Sequence, residues 1–133
     1  MYYDFSFTIP ANTLKKSPTE LEVKLTSGVI HRVEIGFPSG CAGLVNLAIR
    51  KGLHQVWPTN PDGAFNTNDY TITINEFYPL TTAPYKLTLQ AWNLDDTYDH
   101  TIEVRFALLP PEVLYPEETF IEAFKRLMKR LRL

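Results

Sequence analysis

Cysteine is nearly absent from this chain, because Cys41 is the one cysteine among 133 residues. A single thiol cannot form a disulfide within the chain, which excludes a disulfide-stapled framework and fits an intracellular or virion setting better than secretion. Glycine is also scarce, and the six glycines are scattered, so no glycine-rich phosphate loop is present. No apolar run approaches the roughly 18 residues that a membrane span needs.

The first ten residues, MYYDFSFTIP, do not have the features of a signal peptide. They lack a basic start, a long apolar centre and a cleavage site of small residues. We therefore expect no secretion signal. The length of 133 residues fits one domain that is large enough to bury a core without disulfides.

Alternation of apolar and polar residues dominates the first 110 residues. In the first segment Tyr3, Phe5, Phe7 and Ile9 alternate with polar neighbours, which is typical of a strand with one buried face. Similar segments recur between clusters of Pro, Gly, Asn and Asp, so we predict seven or eight strands. No helical pattern lies between them, which predicts an antiparallel two-sheet sandwich of immunoglobulin-like or jelly-roll type. Ser27-Gly28 separates two such segments and predicts a hairpin.

The C-terminal segment has a different pattern. We divide the chain into a β-sandwich domain (1–109), a proline-rich linker (110–115) and an amphipathic helix (116–133). Residues 1–115 contain eight Lys/Arg and twelve Asp/Glu, a net charge of −4, whereas residues 116–133 contain five and three, a net charge of +2. An acidic body argues against general nucleic-acid binding, which needs a broad basic surface, so only the basic tail could contact nucleic acid.

The predicted helix has one apolar stripe at the spacing of 3.6 residues per turn, and basic residues beside it. Such a stripe has to be covered, by the chain's own sandwich, by a partner, or by a membrane or nucleic acid. We favour partner or neighbour docking, with the tail as the partner-binding element. The apolar residues are Phe120, Ile121, Phe124, Leu127, Met128 and Leu131, and the basic ones are Lys125, Arg126, Lys129 and Arg130.

No pattern in the sequence indicates catalysis or a bound metal. The three histidines lack ligand spacing, and Cys41 has no nucleophile signature around it. We therefore predict a protein that is not an enzyme and has no cofactor. Two acidic loops, 60–69 and 95–99, contain oxygen ligands that suit calcium, although Asn, Asp and Gly are also the residues that turns require.

The aromatic residues suggest an alternative function. Trp57, Trp92 and Tyr98 could form a platform on which sugar rings stack, with calcium as a possible addition, in a carbohydrate-binding module. The simpler interpretation is that the two tryptophans fill the core, as large aromatic side chains usually do. Trp92 is in phase with the polar residues of its strand, which favours exposure. An exposed Trp92 could equally be an interface residue.

Several segments carry a resemblance to known proteins: FTIPANT, VIHRVEIGFPSGCAGL, HQVWPTNPDG and WNLDDTYDH. Over residues 2–109 the chain resembles small β-sandwich structural proteins of phage and prophage virions. The resemblance implies a capsid decoration, minor capsid or tail-associated protein. It also implies a homo-oligomer, or a complex with a capsid or other virion protein, located in the virion or in the host cytoplasm during assembly.

Overall fold

The computed structural model describes residues 1–114 and 116–131, and within the C-terminal helix it describes the side chains of Glu122 and residues 124–131. Eight strands precede a short 3-10 helix, η1, and one α-helix, α1. The strands are β1 (Tyr2–Ile9), β2 (Thr19–Lys24), β3 (Gly28–Phe37), β4 (Val45–Lys51), β5 (His54–Trp57), β6 (Tyr70–Leu80), β7 (Lys86–Asn93) and β8 (His100–Leu109); η1 spans Pro111–Leu114 and α1 spans Pro116–Leu131.

The strands form two four-stranded antiparallel sheets that pack as a sandwich. The first sheet has the order β1-β8-β3-β6, and the second has the order β2-β7-β4-β5. Strand β1 pairs with β8, β2 with β7, β3 with β6 and β4 with β5. The first four strands therefore pair with the last four in reverse order. Together they form one long antiparallel ribbon that folds over into two sheets. This is the jelly-roll arrangement of eight strands, so the predicted sandwich with a C-terminal helix is confirmed.

The core lies between the two sheets and is formed by the inward residues of each alternating strand. On β8, Ile102, Val104 and Phe106 are buried while Glu103 and Arg105 are only partly covered. Strand β7 contributes its own inward set from the other sheet. Because each inner face needs an apolar side chain at every second residue, the period of two in the sequence specifies which face of each strand is buried.

The predicted hairpin around Ser27-Gly28 is wrong. Strand β2 belongs to the second sheet and β3 to the first, so the chain crosses between sheets at this point. Both segments alternate because both face the same core from opposite sides, and alternation alone does not tell a hairpin from such a crossover.

The predicted proline-rich linker, residues 110–115, contains a short helix. Within it, Pro111–Leu114 forms the 3-10 helix η1, which packs against β3. Pro111, the first residue of η1, has no amide hydrogen, and the first turn of a helix does not need one. The last predicted linker residue, Tyr115, and the predicted helix residues Arg132 and Leu133 lie outside the described residues.

Candidate docking surface

Helix α1 begins at Pro116, where the fixed φ of proline suits a first helical turn, and it ends with Lys129 and Arg130 in its last turn. Positive charge is favourable there because the carbonyl end of a helix is negative. The sequence predicted this helix and its amphipathic pattern. The side chains of Phe120 and Ile121, the first two residues of the predicted stripe, lie outside the described residues.

The rest of the stripe is exposed. Leu127 keeps 52% of its surface in contact with solvent and Leu131 keeps 72%, and Phe124 and Met128 are exposed as well. Whereas η1 packs against β3, the described part of α1 has no comparable packing against any strand. Contiguous exposed apolar surface on one element commonly indicates an interaction site. In the part of the chain that the structure describes, the sandwich does not cover this stripe.

Basic side chains flank the stripe. A shallow groove of about 400 Å³ is lined by Phe124, Lys125, Met128 and Lys129, so apolar and cationic groups alternate along it. Arg126 and Arg130 are also exposed. Among the described residues none of these four cations forms an ion pair. The surface therefore offers apolar contact together with exposed positive charge.

The three aromatic residues of the predicted sugar platform do not share a surface. Trp57 is only 2% exposed, belongs to the core and packs edge-on against Tyr78 of the first sheet. Trp92 is in phase with the outward residues of β7 but is only 8% exposed, and Lys15 lies over its ring at 5.5 Å from the centroid. Tyr98 is 67% exposed in the β7–β8 loop. The core interpretation is thus correct for Trp57, whereas Trp92 is covered on the outer face.

Side-chain oxygens of the acidic loops accept hydrogen bonds from backbone amides. In the first loop, Asn68 Oδ1 accepts hydrogen bonds from the amides of Gly40 and Ala42, each at 2.9 Å. In the second loop, Asp95 accepts bonds from the amides of Thr97 and Tyr98. No group of three or more potential metal-ligating side chains occurs within the described residues. These bonds give Asn68 and Asp95 structural roles.

Asp95 gives the β7–β8 loop a pH dependence. Its hydrogen bonds with His100, at 2.8 Å, and with the amide of Thr97 hold the pKa of the Asp95 carboxyl below its ordinary value of 3.8. A lowered folded-state pKa adds stability that is fully present above the unfolded value and is lost as the pH falls through the folded value. We expect Asp95→Asn to be less stable than the natural chain near pH 7 and to lose less stability below about pH 4.

Urea denaturation of both chains across acid and neutral pH measures this difference. The substitution keeps an oxygen that can accept the bonds from the amides of Thr97 and Tyr98, and it removes the carboxylate charge together with the acceptor that faces His100. Parallel acid-side curves for Asp95→Asn and the natural chain would contradict the assignment.

Among the described residues, no side-chain hydrogen bond joins Cys41 to a histidine. Cys41 is buried in the core, and burial raises the pKa of its thiol above the ordinary value of 9.0. The thiolate, which is the nucleophilic form, is therefore disfavoured. His100 is largely buried and bonds Asp95, whereas His54 is exposed.

The structure also brings together residues that the sequence did not single out. Lys15, from the loop after β1, and Arg50, on β4, converge on one cleft on the outer face of the second sheet. Their separation along the chain gives no periodic or motif signal. Only the pairing of β4 with β7 and the path of the β1–β2 loop place them side by side.

No protein-family model matches this chain, and a search of curated proteins finds no significant match. Among the described helices, none combines the length and the apolar character needed to cross a bilayer. The local geometry of the described residues therefore supplies the evidence for function.

Proposed function

We propose that this chain is a non-enzymatic assembly protein, in which a jelly-roll body carries α1 as the element that joins it to a second copy. The exposed apolar stripe of α1 carries the proposal. Jelly rolls occur in viral capsid proteins and also in lectins, so the fold alone does not choose between assembly and sugar binding. Trp57 is buried in the core and Trp92 is largely buried, whereas Tyr98 is exposed, which argues against the aromatic stacking platform of the sugar-binding alternative.

The charge pattern of α1 favours a second copy as its partner. Acidic residues occupy the start of the helix sequence and basic residues its end. Two such helices packed antiparallel place Glu122 and the acidic first turn of each against the basic last turn of the other. Apolar burial would supply most of the affinity, and the opposite charges would fix the direction.

The resemblance to phage and prophage structural proteins suggests the biological setting. A homo-oligomer of this kind would serve as a capsid decoration, minor capsid or tail-associated component. Other virion proteins are the alternative occupants of the stripe, and the sequence gives the tail no tryptophan of the kind that anchors helices at a membrane surface.

Leu127→Asp tests this function. Because it places a charge in the centre of the stripe, we expect self-association to weaken by about tenfold or more. Light scattering after size exclusion, over concentrations from about 10 μM to 1 mM, measures the mass of each chain. Leu14→Asp is the matched control, since Leu14 is 50% exposed in a loop of the body, and its mass should equal that of the natural chain.

Three results would overturn the proposal. A natural chain that stays monomeric at about 1 mM would refute self-association. An oligomer that survives both Leu127→Asp and truncation after Leu109 would place the interface on the sandwich instead of on α1. Equal weakening by Leu14→Asp and Leu127→Asp would show that the effect is not specific to the stripe.

A further inference from the structure

A cleft of about 390 Å³ lies on the outer face of the second sheet. Its floor is formed by outward residues of β4 and β7, including Arg50, Gln90 and Trp92. The loop after β5 supplies one wall, and Lys15 from the loop after β1 supplies part of another. The volume falls within the range of small-ligand sites in proteins.

One wall of the cleft is fixed by Gln55. Its side-chain amide donates hydrogen bonds to the carbonyl oxygens of Pro58 at 2.8 Å and Asn60 at 2.9 Å, and lies 3.3 Å from that of Gly63. A buried or half-buried amide that bonds successive carbonyls holds a loop in one conformation. The concave shape is therefore built into the structure by hydrogen bonds.

The guanidinium of Arg50 is the most informative group in the cleft. Its Nη1 donates to Gln90 Oε1 at 3.2 Å and its Nη2 donates to the carbonyl oxygen of Leu53 at 3.0 Å. Its Nε is buried and has no acceptor among the described residues. Arg50 thus has two neutral partners and no described carboxylate within 4.0 Å, although buried donors and charges are normally paired.

Besides Arg50, the described lining residues of the cleft with basic side chains are Lys15 and His54. Lys15 lies over the Trp92 ring and forms no ion pair with a described residue. His54 is at the edge, and none of the described lining residues is Asp or Glu. Asp62 is exposed in the neighbouring loop and does not line the cleft. Two unpaired cations therefore share a concave site in a body whose net charge is −4.

We propose that this cleft binds a small ligand through a carboxylate or phosphate group. The anion would lie between Arg50 and Lys15, where both cations stabilise it and where the low exposure of the floor strengthens the attraction. Gln90 would contact the uncharged part of the ligand. Two cations suit one anionic group, so the ligand class is a small oxyanion compound, such as an acidic sugar or a phosphate ester.

Nuclear magnetic resonance titration of the natural chain tests the site. Separate titrations use sodium glucuronate, inorganic phosphate and glucose, with ionic strength held constant by sodium chloride. We expect saturable shifts of the Trp92 indole N–H and the Arg50 Nε–H, with a dissociation constant of about 1 mM or below for at least one oxyanion and none for glucose. The glucuronate and phosphate titrations distinguish a carboxylate ligand from a phosphate ligand.

Two neighbouring lysines provide a matched pair of variants. Lys15→Gln should weaken binding by about tenfold, whereas Lys16→Gln, which changes a lysine outside the lining of the cleft, should leave it unchanged. Arg50→Gln should abolish saturable shifts if it folds, and Lys15→Gln decides the question if it does not.

The proposal fails if neither oxyanion gives saturable shifts at about 20 mM. It also fails if Lys15→Gln and Lys16→Gln bind equally well. Because no described residue of α1 lines the cleft, this result and the self-association result can fail separately.

Discussion

Asn93→Ala is expected to lower the free energy of unfolding by about 3 kcal/mol, because it leaves several buried groups without partners. Asn93 is fully buried at the end of β7. Its side-chain amide donates to the carbonyl oxygens of Ile9 at 3.2 Å and Tyr98 at 2.9 Å, and its Oδ1 accepts from the amide of Asp95 at 3.0 Å. One side chain therefore joins the end of β1 to the β7–β8 loop.

Urea denaturation at neutral pH measures this loss, with Asn75→Ala as the control. Asn75 is exposed on β6, and its replacement should change stability by no more than about 0.5 kcal/mol. Both variants remove the same atoms from a strand residue, so the difference between them reports the buried hydrogen bonds. Equal stability of Asn93→Ala and Asn75→Ala would contradict the structural role of Asn93.

Asn93 also shows where sequence reasoning stops. In the sequence it is part of Asn93-Leu94-Asp95-Asp96, which indicates a tight connection and, with the aromatic residues, possible hydroxyl-binding groups. The structure assigns Asn93 to the interior. The difference arises because turn-forming and ligand-binding residues are the same types, and only the approach of β1 shows which carbonyls the amide contacts.

The fold class was predictable because it depends on local patterns. Alternation with a period of two marks the buried face of each strand wherever the strand lies, and the helical spacing of Leu127 and Leu131 marks α1 in the same way. Strand order was not predictable, because the pairing of β1 with β8 joins the two ends of the body. The hairpin predicted at Ser27-Gly28 was wrong because β2 and β3 belong to different sheets.

The two candidate sites differ in the same way, since one depends on a local pattern and the other on long-range contacts. The stripe on α1 lies within one helix, so its residues could be named from the sequence. The cleft of Lys15 and Arg50 depends on two separate elements and on the Gln55 amide that holds the loop after β5. Such a site has no spacing to detect, and an isolated arginine on a strand is ordinarily a solvated residue.

Gly28→Ala is expected to destabilise the body by about 2 to 3 kcal/mol, since a methyl group at this position has no space. A Cβ on Gly28 would clash with the backbone carbonyl oxygen of Leu109, at the point where β3 begins beside the end of β8. Backbone atoms in a sheet cannot rotate away as a side chain can. The glycine that the sequence indicated as a turn residue is therefore required by the close approach of two strands of one sheet.

Gly36→Ala, in the same strand, is the control that separates this clash from the general effect of replacing glycine. A Cβ on Gly36 would lie 3.5 Å from Thr71 Oγ1, an ordinary van der Waals contact. Alanine also loses less conformational entropy on folding than glycine, so Gly36→Ala should be neutral or stabilising by up to about 1 kcal/mol. Urea denaturation should therefore separate the two variants by about 3 kcal/mol. If they unfold at the same urea concentration, β3 and β8 do not approach as closely as the structure shows, and the crossover from β2 into the first sheet would need a different path.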